Sequence, residues 1–379
     1  MEEFNLFDLL PEGNPFKPTK ADDYIWHLKD LENVPKNNKS VFSCFACGGG
    51  STMGYKLAGF NVIGCCEIDP KMNKIYNLNH HPKHNFLMDI RAFNEIPNNE
   101  LPQELFNLDI LDGSPPCTTF SMAGKREETW GKKKKFREGQ QEQTLDDLSF
   151  VFIDTVAKLK PKVVVMENVE GLLNGNAWDY VKKIYQQFNA IGYNVNHWLL
   201  KGEMMGVPQT RHRVVFVAHQ KTLNYPKLEL NFNYEKVPYG LIKTPHGLPL
   251  SENRAKTKEL LANVKYGESD LAGASMRLYN KNSFFNSQVL YDDRVAPTIR
   301  AGAADYYRYG TQEQVSQQDI ITISTFPQDY NFVSNAISNV CYICGMSVPP
   351  IMIKRVATEI YNQWFNKEWL WIIDGITFH

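Results

Sequence analysis

Between Ser40 and Val217 the chain alternates short apolar runs with helical stretches, and this rhythm constrains its fold more than any other feature. Residues 41–45 read as a buried strand, Gly48-Gly49-Gly50 as a turn and residues 52–58 as a helix. A second strand over 61–66 ends at Glu67 and Asp69. The pattern returns as a strand over 108–111, a helix over 145–159, a strand over 162–166, a helix over 178–190 and a strand over 213–217. Such alternation predicts an α/β domain, with a mostly parallel sheet covered on both faces. Near His219 the rhythm stops, and the following hundred or so residues are loop-rich with scattered short strands. Helical spacing resumes at Ile351, Ile353, Val356, Ile360 and Trp364, on a helix expected to dock back on the first domain. The expected division is an N-terminal extension (1–38, with one short helix over 22–32), a larger α/β domain (39–221), a smaller domain (222–335) and a returning C-terminal segment (336–379).

With 379 residues there is length for two or three structural units, and 12% aromatic content excludes disorder for most of the chain. No run resembles a membrane span, and Met1-Glu2-Glu3 is unlike a signal peptide, so no membrane partner and a cytoplasmic location are expected. The formal charge of −1 means that any nucleic-acid partner must be recognised by local patches. Cys44-x-x-Cys47 and Cys341-x-x-Cys344 could together supply four thiolates to zinc, but the pairs lie far apart. Cys341-Tyr342-Ile343-Cys344 reads instead as an apolar strand with its thiols inside, and no metal is expected.

Four segments carry chemistry. Phe45-Ala46-Cys47-Gly48-Gly49-Gly50 joins a first strand to its helix, where glycines let backbone approach a nucleotide-like ligand. Glu67, about 20 residues on, suits a bidentate contact to ribose hydroxyls. The glycine spacing is not that of dinucleotide folds, and a tight turn alone would account for it. Asp112-Gly113-Ser114-Pro115-Pro116-Cys117 places a thiol just past a strand behind two stiff prolines. That thiol is a latent nucleophile awaiting a polarising neighbour; a structural turn is the plainer alternative. Glu167-Asn168-Val169 puts a carboxylate directly after an all-apolar strand, as a general acid or as a helix cap. Arg211 and Arg213, at i and i+2 before another strand, offer fixed forks to anionic or carbonyl groups, or are surface arginines.

Taken in this order, the segments resemble the C5 cytosine-specific DNA methyltransferase family, of prokaryotic or phage type, from about Ser40 to Trp364. The resemblance implies a Rossmann-like S-adenosylmethionine-dependent methyltransferase domain and a loop- and strand-rich target-recognition domain. Residues 45–55, with Phe45, Gly49 and Gly50, are similar to the family's cofactor loop. Glu67-Ile68 resembles its ribose- and adenine-contacting segment, and Asp89 its adenine-contacting acid. Pro116-Cys117 looks like the Pro-Cys nucleophile, and Glu167-Asn168-Val169 like the Glu-Asn-Val motif. Residues 209–213 look like the Gln-x-Arg-x-Arg motif. Leu148 falls at a cofactor-packing position, residues 294–300 resemble the late motif behind the recognition domain, and Ser347 and Val348 resemble the final cofactor-site motif. Three residues depart from the pattern: Cys47 for the usual loop glycine, Thr118 for Gln, and Met346 for Asn.

The implied roles are Cys117 as nucleophile, Glu167 at the base's N3 and amine, Arg213 at its O2 carbonyl, and Arg211 orienting the thiol loop. The cofactor S-adenosylmethionine, leaving as S-adenosylhomocysteine, is expected at Phe45, Gly49, Gly50, Glu67, Ile68, Asp89, Pro116, Leu148, Ser347 and Val348. Residues 124–137 carry seven Lys or Arg against two Glu, a local +5 suited to phosphates. Ser121, Lys132, Lys133, Lys134, Lys135, Arg137 and Arg300 are the expected contacts to double-stranded DNA. Residues 221–300 carry 12 basic and 8 acidic side chains with interleaved aromatics, in keeping with target recognition. The expected enzyme is a monomer at the nucleoid, with a cognate restriction endonuclease as a candidate partner. A tRNA cytosine-5 methyltransferase and a catalytically inactive DNA-binding relative are the competing readings.

Overall fold

The computed structural model describes residues 24–116, 147–174, 177–302 and 305–366. Its chain divides into two compact units, residues 34–200, 212–231 and 353–379 forming one, and 1–33, 201–211 and 232–352 the other.

The first unit is built on β1 (Ser40–Cys44), α1 (Gly50–Leu57), β2 (Asn61–Glu67), α2 (Pro70–His80), β3 (His84–Leu87), α3 (Ile90–Glu95), β4 (Ile110–Gly113), α4 (Leu148–Leu159), β5 (Val163–Val169), α5 (Trp178–Ala190), β6 (Tyr193–Lys201) and β7 (His212–Gln220). Its seven-stranded sheet runs β3-β2-β1-β4-β5-β7-β6. β3, β2, β1, β4 and β5 are mutually parallel, and β7 is antiparallel to β5. The parallel strands are nearly all apolar because both faces are covered. On one face α4 presents Leu148, Phe152, Ile153, Val156 and Leu159 at helical spacing to Phe42, Leu111, Val164 and Met166. Each such burial contributes about 1.5–3 kcal/mol. On the other face Phe60 meets Tyr55, Tyr361 and Phe365 edge-on.

The second unit holds β8 (Leu248–Pro249), α6 (Ala255–Ala262), α7 (Ala272–Tyr279), β9 (Gln288–Leu290), β10 (Tyr306–Arg308), β11 (Glu313–Gln314), α8 (Gln317–Ile323) and α9 (Ile337–Met346), with the start of α10 (Pro350–Ile360). Its small mixed sheet runs β8-β11-β10-β9. Such short strands bury little area by themselves; Leu260, Leu271, Ile320, Ile323, Phe326 and Ile343 are buried around them, and polar pairing adds to that core. Arg308 and Asp319, 4% and 0% exposed, pair at 2.7 Å. The same carboxylate accepts from the Tyr239 hydroxyl at 2.8 Å and the Thr244 amide at 2.7 Å.

Two expected elements differ. Cys341 and Cys344 lie on helix α9, not on a strand, buried with Val340 and Ile343 at helical spacing. A short apolar run has no decisive period by itself. Instead of a helix over 22–32, the described part has a 3-10 stretch at Leu28–Asn33. The preceding residues are anchored by Trp26, whose indole N–H donates to the Thr325 carbonyl at 3.0 Å. The run Ile337–Phe365 has the length and apolarity of a membrane span, but most of it is buried inside the protein.

Asp319→Ala leaves the buried Arg308 guanidinium with only the longer Glu313 pair at 3.5 Å, a loss of about 3 kcal/mol, at the low end for broken buried pairs. Chemical denaturation of the full chain should show a lowered midpoint in this variant and a much smaller change in Asp305→Ala, whose partner Arg254 is exposed.

Candidate active site

The turn after β1 is a strained piece of backbone. Phe45, Cys47 and Gly49 have φ of 55, 46 and 72°. A left-handed conformation costs a residue with a side chain roughly 1–2 kcal/mol, so Phe45 and Cys47 need compensation. Hydrogen bonds supply it: the Phe45 amide donates to the Cys66 carbonyl at 2.9 Å, and the Gly49 amide to Ala46 at 2.8 Å. The Cys47 amide donates to Glu67 Oε2 at 2.8 Å. Cys47, where a loop glycine would be usual, is thereby held in a glycine-like conformation. Gly49 itself cannot be replaced cheaply, because a Cβ there would lie 2.1 Å from His80 Nε2.

Glu67 ends β2 and is buried. Its second oxygen accepts from the Asp69 amide at 2.8 Å, and Asp69 in turn caps α2 through the Lys71 amide at 2.8 Å. Burial raises the Glu67 pKa above its ordinary value, with the Asp69 and Cys47 amides opposing the shift. Ile68 is half-buried beside it. Asp89 follows β3, caps α3 through the Arg91 amide at 2.8 Å and forms an ion pair with Arg91 at 3.4 Å. Arg91 also reaches Asp147 at 2.6 Å, next to buried Leu148 at the start of α4. Phe45, Gly49, Gly50, Glu67, Ile68 and Asp89 thus cluster at the carboxyl ends of β1, β2 and β3.

Level with them, β4 ends at Gly113, where a Cβ would meet the Phe152 ring at 2.4 Å. The chain then enters Pro115 and half-buried Pro116. Asn168 donates its amide to the Pro115 carbonyl at 3.4 Å, tying the proline turn to β5. The neighbouring Glu167 accepts from Arg213 Nε at 2.7 Å, with both side chains under 20% exposed. Arg213 Nη1 donates to the His212 carbonyl at 2.7 Å, which fixes the plane of the guanidinium. Cys117, Ser121, Lys132, Lys133, Lys134, Lys135 and Arg137 lie outside the described residues.

In the second unit Arg211 is 3% exposed and donates to the carbonyls of Ile299 at 3.2 Å and Gly345 at 2.9 Å. Gln209 holds the same strand from its other side, accepting from the Ile299 amide and donating to the Ile323 carbonyl, each at 3.2 Å. Here Arg211 knits backbone segments together, while Arg213 faces the Glu167 carboxylate in the first unit. Arg300 is half-buried and donates twice to Asn286. Ser347 is buried at the end of α9, with no hydrogen-bond partner for its hydroxyl among the described residues, and Val348 is buried beside it.

Three residues were not singled out by sequence. Asn168 was read only as part of its motif. His80 stacks on Tyr76 with ring centres 4.7 Å apart, and its pKa is driven well below the usual value by burial and by the Lys56 charge, leaving a neutral ring beneath Gly49. Asp112 is buried on β4. Only the tertiary packing distinguishes these side chains from other polar residues in the same elements.

A seven-stranded sheet in this order, with acids ending its second and third strands, defines a Rossmann-like methyltransferase. The sequence profile of the C-5 cytosine-specific DNA methylases matches residues 40–362, and the chain belongs to that family. It is 26% identical over 359 residues to the Type II methyltransferase M.AplI of Arthrospira platensis, covering 91% of this chain and 92% of the relative. It is 28% identical to M.HindV of Haemophilus influenzae, over 86% of this chain and 96% of that one. Among solved structures, a proposed DNA modification methyltransferase of an E. coli prophage shares the fold, with a TM-score of 0.62, 17% identity, and 86% and 99% of the two chains covered.

Gly49→Ala should lower the thermal midpoint, since it adds both a left-handed strain and the clash with His80. Adding His80→Ala should recover part of that loss by removing the clash while leaving the backbone strain; scanning calorimetry of the single and double variants measures the coupling.

Proposed function

We propose that the chain transfers a methyl group from S-adenosylmethionine to C5 of a cytosine flipped out of a short duplex DNA sequence, through a covalent bond from Cys117 to C6. The observation that carries this reading is the meeting of three strand ends. Gly113 runs into Pro115-Pro116, Asn168 ties that turn, and Glu167 stands beside it in contact with Arg213.

Cytosine C5 is too weak a nucleophile to take a methyl group unaided. Addition of the Cys117 thiolate to C6 turns the ring into an enamine-like nucleophile at C5. Glu167, held in place by Arg213, accepts from the exocyclic amine and, in its protonated form, donates to N3 and stabilises the negative charge that grows there. Arg213 uses Nε on Glu167 and Nη1 on the His212 carbonyl, and among the described residues its Nη2 edge is left for the O2 carbonyl. After transfer, the C5 proton leaves to a base and Cys117 is eliminated, restoring the ring. None of this can occur in a stacked duplex, so the base must be extruded.

The residues present suit the cofactor. Glu67 lies at the strand end where ribose hydroxyls bind in such sheets, and Gly49 keeps the turn open to close approach. When bound, S-adenosylmethionine supplies an electrophilic methyl group on a sulfonium. Type II names among the relatives support a modification role paired with a restriction endonuclease.

Glu67→Ala should weaken S-adenosylmethionine binding by about 1.5–3 kcal/mol, roughly ten- to a hundredfold, as expected for lost bonds to a charged acceptor; titration calorimetry reads this directly, and unchanged affinity would remove Glu67 from the site. Bisulfite sequencing of DNA from expressing cells should show one methylated target, and a duplex with 5-fluorocytosine there should trap a covalent adduct on Cys117. Cys117→Ser should abolish both, because a hydroxyl is a far weaker nucleophile at neutral pH. An adduct mapped to another cysteine, or methylation of tRNA instead of duplex DNA, would overturn this assignment.

A further inference from the structure

The Asp112 carboxyl group is a buried charge for which the chemistry above has no use. It stands on β4 and is 2% exposed. Ser43 on β1 donates to its Oδ2 at 2.8 Å, and Tyr55 on α1 donates to its Oδ1 at 3.1 Å. The Ser51 hydroxyl, also on α1, adds a third contact. α1 starts directly after the turn at Gly49, and β4 leads into Pro115, Pro116 and Cys117. One carboxylate therefore joins the helix that begins at the 45–50 turn to the strand that leads into the Pro115-Pro116 turn.

This arrangement is costly. Among the described residues no cation stands with these partners, and the other ionisable groups around Asp112 there are Cys44 on β1, Tyr55 on α1, Tyr76 on α2 and Glu167 on β5. Burial, reinforced by the Glu167 charge, pushes the Asp112 pKa up to about 7 against the three hydroxyls, which favour the ionised form. A neutral side chain of similar size would avoid that desolvation.

We propose that Asp112 is a positioning residue for cofactor binding: its carboxylate holds α1, and with it the turn at residues 45–50, in register with the strand that delivers Cys117. The proposal rests on the reading of that turn as the S-adenosylmethionine site. The ionised carboxylate is the stronger acceptor for all three hydroxyls; on protonation one oxygen carries a proton, its accepting power falls and the tie loosens. Cofactor affinity should therefore fall as pH drops through about 7.

Stability runs the other way. A carboxyl whose pKa is raised on folding binds its proton more tightly in the folded chain. Its contribution declines as pH rises from the ordinary carboxylate range to about 7, and the penalty is complete above that. Asp112→Asn keeps the shape and removes the charge. The full chain carrying it should melt no lower than wild type above neutrality, yet bind S-adenosylmethionine more weakly there, by roughly threefold to tenfold for a weakened hydrogen-bond set. It should also lose part of the pH dependence of binding.

Titration calorimetry well below and well above neutrality, with melting curves, tests this. Equal affinity and an equal pH slope in Asp112→Asn and wild type would overturn the proposal, as would a lowered melting temperature with unchanged affinity, the mark of a merely structural role. Tyr55→Phe gives an independent arm that spares the carboxylate. It should weaken binding and move the acid fall to higher pH, because a donor favouring the ionised form is gone; unchanged affinity and inflection there would equally overturn it. Absence of cofactor binding by the wild-type chain would overturn the functional reading itself, whereas normal binding indifferent to Asp112 would remove this inference alone.

Discussion

β1 lies between β2 and β4, and its parallel register with both puts Cys44 level with Cys66 and with Gly113, while Gly113 is level with Met166 on β5. One residue further along each strand come Phe45, Glu67, Ser114 and Glu167. Parallel pairing thus brings groups from four separate stretches of sequence to one edge of one sheet. A slip of one residue in any strand would turn its side chains to the opposite face. The strained turn, the proline turn and the Glu167–Arg213 pair all depend on that alignment.

The price of the edge is a set of buried carboxyl groups. Glu67 is offset by two backbone amides, Glu167 by a guanidinium, and Asp112 by hydroxyls alone. The three solutions differ in strength, since an adjacent opposite charge favours the ionised form more than neutral donors do. The apolar faces of the sheet, covered by α4 on one side and by Phe60 and its aromatic neighbours on the other, supply the stability that tolerates them. In the second unit, with its two- and three-residue strands, the balance shifts. There the Arg308–Asp319 pair and the bonds from Gln209 and Arg211 to backbone carbonyls do the holding.

The alternation of strands and helices, the carboxyl-edge acids and the position of the Pro115-Pro116 pair just past a strand were legible because each is local. An apolar run of five, a glycine cluster or an acid directly after a strand leaves its signature within a few residues. Short elements were less so. α2, β3 and α3 were not read individually, although Asp69 and Asp89 cap the two helices through backbone amides. The Cys341 run was read with the wrong period because four residues are too few to separate a strand from a helix.

What the sequence determined by itself was the kind of sheet, the order of its motifs and the residue types at its edge, since these follow from periodicity and backbone stereochemistry. What only the tertiary structure decided was which side chains face one another. Arg211 and Arg213 are alike on paper, yet one is spent on the Ile299 and Gly345 carbonyls and the other on Glu167. Asp112 and Asp109 sit three residues apart near one strand, yet Asp109 pairs with Lys162 at 3.0 Å while Asp112 meets hydroxyls alone. Partner identity depends on contacts between residues distant in sequence, and no local pattern encodes those.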